Sequence, residues 1–366
     1  MLSFSGALLL SLLLSALILR RANHGGWFAA AMDHDLSGIQ KTHARPAPRI
    51  GGLAIFLATA LGALSVALRD PSHASRIGLL CLCAIPAFAG GLAEDITRRI
   101  SPWRRMACMA VSCGLGFWLI DLVIPRIGVP WLDPLVASRP IAVAITVVAL
   151  MALTNAVNLI DGFNGLAGVV CSIMFLALAY VGLKVGDGMV HSCSLVLAAA
   201  TLGFLVWNYP RGQIMLGDGG AYFLGFMLGA LSILIVARNP GVSAWFPVLL
   251  LAYPLVEVSF TVYRRRVLRD AHPHLPDAAH LHQLIFRRVV RWAVGRPDDE
   301  SRTARNSLTA PYLWMLSAMA VGPAALWFDR TDILASAFGL FVLTYVWLYF
   351  RIVRLKVPRW MVLWKP

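Results

Sequence analysis

Five short segments of this 366-residue chain gather the residue types that handle phosphate and hard cations. In Gly217-Asp218-Gly219-Gly220, glycines bracket an acid, so one carboxylate projects from backbone that a ligand can approach closely. Asp218 is therefore a candidate metal ligand. Glu94 and Asp95 are adjacent acids at the end of an apolar run, just before Arg98, Arg99, Arg104 and Arg105. Such a pair suits Mg²⁺, which takes oxygen ligands, usually one or two carboxylates together with substrate phosphates. Helical i, i+3 spacing sets Asn155 beside Asn158 and Asn158 beside Asp161, an amide and acid stripe that ends at Gly162. The stretch from Lys41 to Arg49 supplies Lys41, His43, Arg45 and Arg49 as donors for phosphate oxygens, with Pro46 and Pro48 stiffening the chain. Finally, His280 and His282 stand two residues apart, which is not the i, i+4 geometry of a helical zinc pair but does suit hydrogen bonding to a diphosphate. Each segment alone also has a plain reading: a positive-inside loop, a solvated helix end, an amide contact between helices, an ordinary turn, or solvated loop histidines.

The elements that must hold these residues are membrane spans. Hydrophobic residues make up 59% of the chain and charged residues 14%, against about 45–50% and about 25% in soluble domains. Eleven apolar runs are long enough to cross a bilayer or nearly so, at 2–19, 50–68, 77–93, 106–124, 139–157, 163–182, 190–207, 221–237, 244–263, 311–328 and 332–350. The reading is a single all-α membrane domain over 1–366, with one long basic insertion at 264–310. Leu2 to Leu19 is followed rather than preceded by arginines, the reverse of a secretory leader, so it is expected to stay as a span.

The net charge of +14 lies outside the apolar runs, which argues against a nucleic-acid partner. Of the 32 Lys and Arg, 25 fall in alternate loops, and the positive-inside rule makes those loops cytoplasmic. The N-terminus is then periplasmic and the C-terminus cytoplasmic, and the Arg and Trp of the tail 351–366 meet the anionic lipid surface. The six cysteines all lie in apolar runs and read as small packing residues. Among the 18 acids only Glu257 lies well inside a span, while Asp33, Glu94, Asp95, Asp161 and Asp218 sit at cytoplasmic ends. This describes a site at the membrane surface and not a path through it.

In this order the five segments resemble the polyprenyl-phosphate N-acetylhexosamine-1-phosphate transferases, a family whose fold is a bundle of ten or eleven transmembrane helices. The resemblance runs from about His34 to about Gln283. It implies transfer of a sugar 1-phosphate from a UDP-sugar to undecaprenyl phosphate at the cytoplasmic face of a bacterial inner membrane, with release of UMP. It further implies Mg²⁺, or Mn²⁺ as the alternative, on Asp218 with Asp95. Asp95, Asp161 and Lys41 then carry catalytic roles, and His43, Arg49, Glu94, Asn155, Asn158, His280 and His282 bind substrate. Two positions depart from the family pattern: Glu94 stands where an aspartate is usual, and Gln283 replaces the last histidine of a His-x-His-His motif. The motif places the chain nearer the enzymes that start O-antigen and similar glycans than the peptidoglycan translocase. Membrane lipids are expected partners, and a homodimer is compatible with this reading. Two rivals remain at this stage: a secondary transporter, disfavoured by the near absence of midplane acids, and a non-catalytic lipid-binding homologue, kept open by Glu94.

Overall fold

The computed structural model describes residues 2–22, 30–33, 45–268, 279–290 and 299–355. Lys41, His43 and the tail beyond Leu355 lie outside the described residues. Among these residues the protein is a helical bundle, because a backbone in lipid has only its own groups with which to satisfy N–H and C=O. The long helices are α1 (Leu2–Ala22), α2 (Gly51–Arg69), α3 (Pro71–Thr97), α4 (Pro102–Ile120), α6 (Arg139–Ile160), α7 (Leu166–Lys184), α8 (Gly188–Asn208), α9 (Gly217–Arg238), α13 (Asp299–Leu326) and α14 (Thr331–Val353). Between them lie the short α5 (Asp133–Ala137), α10 (Trp245–Leu250), α11 (Ala252–Tyr263) and α12 (Leu281–Leu284).

Each of the eleven apolar runs falls on helix. Eight helices are long and apolar enough to cross a membrane, and α4, the α10–α11 pair and α13 complete the set. The run 244–263 is broken at Leu251, between Pro247 and Pro254. Pro254 has no N–H to return to Leu250, which accounts for the interruption. Residues 299–310, expected as part of the basic loop, are instead the first three turns of α13. Their acids, arginines and hydroxyls hide that helix from any hydropathy reading. Also outside the expectation is a two-stranded ribbon, β1 (Met32–Asp33) antiparallel to β2 (Ala47–Pro48), with Asp33 opposite Ala47.

Helix α9 is the axis of the bundle: all residues from Gly217 to Val236 are buried, and it packs against α2, α3, α6, α7 and α8. Its N-terminal turn is made almost wholly of glycine because two other helices come in to backbone contact. A Cβ on Gly91 of α3 would lie 2.5 Å from the carbonyl carbon of Asp218 and the nitrogen of Gly219, and a Cβ on Gly52 of α2 would collide with Gly220. Gly217 itself has φ +77°, and the Arg49 carbonyl closes the space beside it. The glycines around Asp218 thus serve helix–helix approach, where the sequence alone suggested room for a ligand. Leu13, Leu61, Leu68, Trp118, Val148, Leu183 and Leu343 remain exposed on the outer helices, the face a bilayer would cover.

Candidate active site

At one end of the bundle the C-terminal ends of α3, α6 and α11 meet the N-terminal ends of α2, α4 and α9. Here Asp95, wholly buried on the last turns of α3, acts as a cap delivered by another helix: its Oδ1 accepts the Asp218 N–H at 2.9 Å and its Oδ2 the Gly219 N–H at 2.8 Å. Those are among the N–H groups that a helix start leaves unpaired, and a carboxylate there also meets the positive end of the helix dipole. Capping fixes the direction in which Asp218 leaves the chain.

Asp218 then collects cations and amides. Its Oδ1 accepts from Arg49 Nη2 at 3.3 Å and from Asn158 Nδ2 at 3.0 Å, while Arg105 Nη1 bonds Oδ2. Arg49 reaches Asp95 as well, at 3.4 Å. Burial opposes the charge on Arg49, yet the joint attraction of Asp95, Asp218, Asp33 and Asp161 outweighs it and raises its pKa. Arg49 arrives on the strand-like segment that follows β2: Arg49 N–H bonds Ala31 O at 3.0 Å, and Gly51 and Gly52 donate to Met215 and Leu216 at 2.9 Å each.

Beside these groups opens a cavity of about 310 Å³, lined by Asp33, Arg49, Asn158, Asp161, Asp218, His280, His282 and Gln283 among others. Asp161 ends α6 and faces this space. Loss of water around it holds its carboxyl well above the ordinary range, with Arg49 opposing and Asp218 and Asp95 adding to the rise. His282 is buried against Phe163, edge to face, with ring centroids 5.6 Å apart. A Cβ placed on Gly162, another lining residue, would come within 3.9 Å of the His282 Nε2.

The structure therefore brings together Arg49, Asn158, Asp161, Asp218, His280 and His282. Asp95 lies beneath the lining and holds it from behind. Two substrate-binding expectations fall elsewhere. Glu94 does not line the cavity; its carboxylate accepts the Ile100 N–H at 2.7 Å in the α3–α4 turn and acts electrostatically on Arg105. Asn155, one turn before Asn158, is exposed on the surface of α6 and does not line the cavity. Along α6 the cavity reaches only the last turn, where Asn158 lies. Sequence reasoning passed over Arg105, Asp33 and Gln283 as site residues. Arg105 was one of four cations in a loop and nothing marked it out. Asp33 depends on the ribbon, whose two-residue strands are too short to leave a pattern.

The donor set fits a hard divalent ion. Asp218 and Asp161 both line one cavity, and one or two carboxylates are what Mg²⁺ takes when phosphate oxygens supply the remainder.

Fold and site together define a polytopic all-α membrane protein with a cavity lined by carboxylates, an arginine and histidines at one end of its bundle. Residues 77–236 match the family described as Glycosyl transferase family 4. The chain is 30% identical over 255 residues to a Bacillus subtilis (strain 168) protein named "Probable undecaprenyl-phosphate N-acetylglucosaminyl 1-phosphate transferase", covering 68% of each chain. It is 26% identical to the undecaprenyl-phosphate alpha-N-acetylglucosaminyl 1-phosphate transferase of Thermotoga maritima, over 69% of this chain and 72% of that one. It is 29% identical to the decaprenyl-phosphate N-acetylglucosaminephosphotransferase of Mycolicibacterium smegmatis, over 78% and 74%. The chain belongs to the polyprenyl-phosphate N-acetylhexosamine-1-phosphate transferase family.

Proposed function

We propose that this protein transfers an N-acetylhexosamine 1-phosphate from its UDP-sugar to undecaprenyl phosphate on the cytoplasmic side of a bacterial inner membrane, and so begins a lipid-linked glycan such as an O-antigen or exopolysaccharide. The observation that carries this reading is the cavity at the N-terminus of α9, where Asp218 and Asp161 face Arg49, His280 and His282. The names of the relatives support N-acetylglucosamine as the first sugar to test.

In this reading an oxygen of the lipid phosphate attacks the β-phosphorus of the UDP-sugar. The bond from that phosphorus to the bridging oxygen breaks, and UMP leaves with the electron pair. A lipid phosphate whose second pKa is about 6 is already largely ionised at neutral pH, so the chain need not supply a strong base. The greater difficulty is bringing two anions together, and positioning with electrostatics is the main resource in phosphoryl transfer. Mg²⁺ bound by Asp218 and Asp161 would neutralise charge on the diphosphate. Arg49 and Asn158 keep Asp218 aimed into the cavity, and His280, His282 and Gln283, which line the same cavity, carry the N–H groups that suit phosphate oxygens. Glu94, which kept a non-catalytic reading open, organises a turn outside the cavity, so its departure from the family pattern leaves the proposed machinery intact.

Purified protein incubated with undecaprenyl phosphate, Mg²⁺ and a panel of UDP-sugars, with UMP assayed and the lipid product weighed by mass spectrometry, tests reaction and sugar together. A lipid gain equal to one N-acetylhexosamine phosphate is expected. No lipid product with any UDP-sugar refutes the proposal.

A further inference from the structure

Glu257 is the one acid deep within an apolar run, and it is fully buried on α11. An ionised carboxylate at such a place is costly unless it has partners. Its partners come from the histidine segment. Glu257 Oε1 accepts the Leu281 N–H at 2.8 Å, lies 3.6 Å from His280 Nδ1 and lies 3.9 Å from His282 Nδ1. Thr261, one turn further along α11, places its Oγ1 3.1 Å from the same His280 nitrogen. The two imidazoles stack nearly parallel, centroids 5.2 Å apart with 9° between their planes. A single carboxylate oxygen therefore accepts the backbone N–H between the two histidines and lies within ion-pair distance of the same ring nitrogen of each.

The two nitrogens of an imidazole flank one ring carbon, and their N–H directions diverge widely. With both Nδ1 atoms turned toward Glu257, both Nε2 atoms turn away from it, and both residues line the cavity that holds Asp161 and Asp218. A carboxylate behind Nδ1 orients the ring, and a ring with protons on both nitrogens is the form in which Nε2–H can donate while Nδ1–H faces that carboxylate.

We infer that Glu257 is a positioning residue for the phosphoryl transfer, holding Nδ1 of His280 and His282 so that their Nε2–H groups donate to the donor's diphosphate oxygens. This rests on the reading given under Proposed function. It also explains why a lone acid deep in a span does not mark a transport path: its charge serves the site at the bundle's end.

Glu257→Gln tests it in the full-length protein, since the amide keeps the size and can still accept the Leu281 N–H while lacking the charge. The kcat is expected to fall about 10- to 100-fold, the range for losing an orienting partner behind a working histidine, with KM for the UDP-sugar changed far less. Glu257→Asp should recover part of the loss. In ¹⁵N-histidine NMR spectra, assigned with His280→Asn and His282→Asn, the Nδ1 signals of both histidines should move in Glu257→Gln, a readout that does not require turnover. Unmoved Nδ1 signals, or a kcat within twofold of wild type in an active preparation, would overturn the inference alone. A wild-type protein inert toward every UDP-sugar would overturn the underlying reading and this inference with it.

Discussion

Asp218 faces two guanidinium groups and an amide, so its negative charge is already the focus of the cavity before any ligand arrives. Asp218→Asn keeps the shape of the side chain but removes that charge. Turnover should fall at least about a hundredfold, the usual scale for losing one strong electrostatic contact in a transition state. UMP release at saturating Mg²⁺ checks this, and near-normal turnover would remove Asp218 from the site. Glu94 makes the opposite case. Its carboxylate serves one loop hydrogen bond to Ile100, worth about 1 kcal/mol, so Glu94→Asp should leave turnover within about fivefold. A larger change in the same assay would mean that Glu94 reaches substrate after all.

At the scale of helices, the site depends on how closely α2, α3 and α9 approach. Gly91→Ala puts a methyl carbon 2.5 Å from backbone atoms of Asp218 and Gly219, and backbone cannot rotate aside as a long side chain can. Overpacking of this kind costs about 1–3 kcal/mol, and here it would also displace the capped turn that aims Asp218. A lower melting temperature is expected together with reduced turnover, and unchanged values of both would show that the helices can separate freely. The opposite end of the bundle has its own fastening. Asp187 caps α8 through the Val190 N–H at 3.1 Å and accepts from Arg238 Nε at 2.7 Å and Asn239 Nδ2 at 3.1 Å, tying the start of α8 to the end of α9. Burial pushes the Asp187 pKa up, but the Arg238 bond and the other donors prevail and hold it below the usual carboxylate range. A carboxylate with a depressed folded pKa contributes stability that is complete above its unfolded value of about 3.9 and is lost as pH falls through the folded value. Asp187→Asn should therefore be less stable than wild type by about 3 kcal/mol at neutral pH, as when one partner of a buried pair is removed. The gap should stay flat from pH 6 to pH 8 and close in acid; thermal unfolding across pH measures it, and a gap that grows in acid would contradict the argument.

For the whole molecule, hydropathy located eleven runs that all fall on helix, because a span must be both apolar and continuous. It missed what is polar or very short: the first turns of α13, and the ribbon that carries Asp33 and leads into Arg49. Motif spacing found most of the cavity, since Asn158 and Asp161, Asp218, and His280 and His282 each belong to a local pattern. Asp95's role as a cap for another helix, Arg105's bond to Asp218 and Glu257's place behind the histidines arise from contacts between residues far apart in sequence, and no local pattern records them. What unites the site is that the ends of six helices and the histidine segment share one face of the bundle, and 25 of the 32 cations lie in the loops assigned to that side. In the proposed orientation that face is the cytoplasmic one. Gln283, buried in the cavity lining, would be a poor reporter of sidedness, whereas Arg99 and Arg211 at the site end and Ser72 and Asp332 at the other are exposed. In a background with the six native cysteines replaced, single cysteines at Arg99 and Arg211 should resist a membrane-impermeant thiol reagent in intact cells and react once the cells are permeabilised. Cysteines at Ser72 and Asp332 should react in intact cells. The reverse pattern would invert the protein in the membrane and put the cavity on the side where nucleotide sugars are not made, which the proposed reaction could not survive.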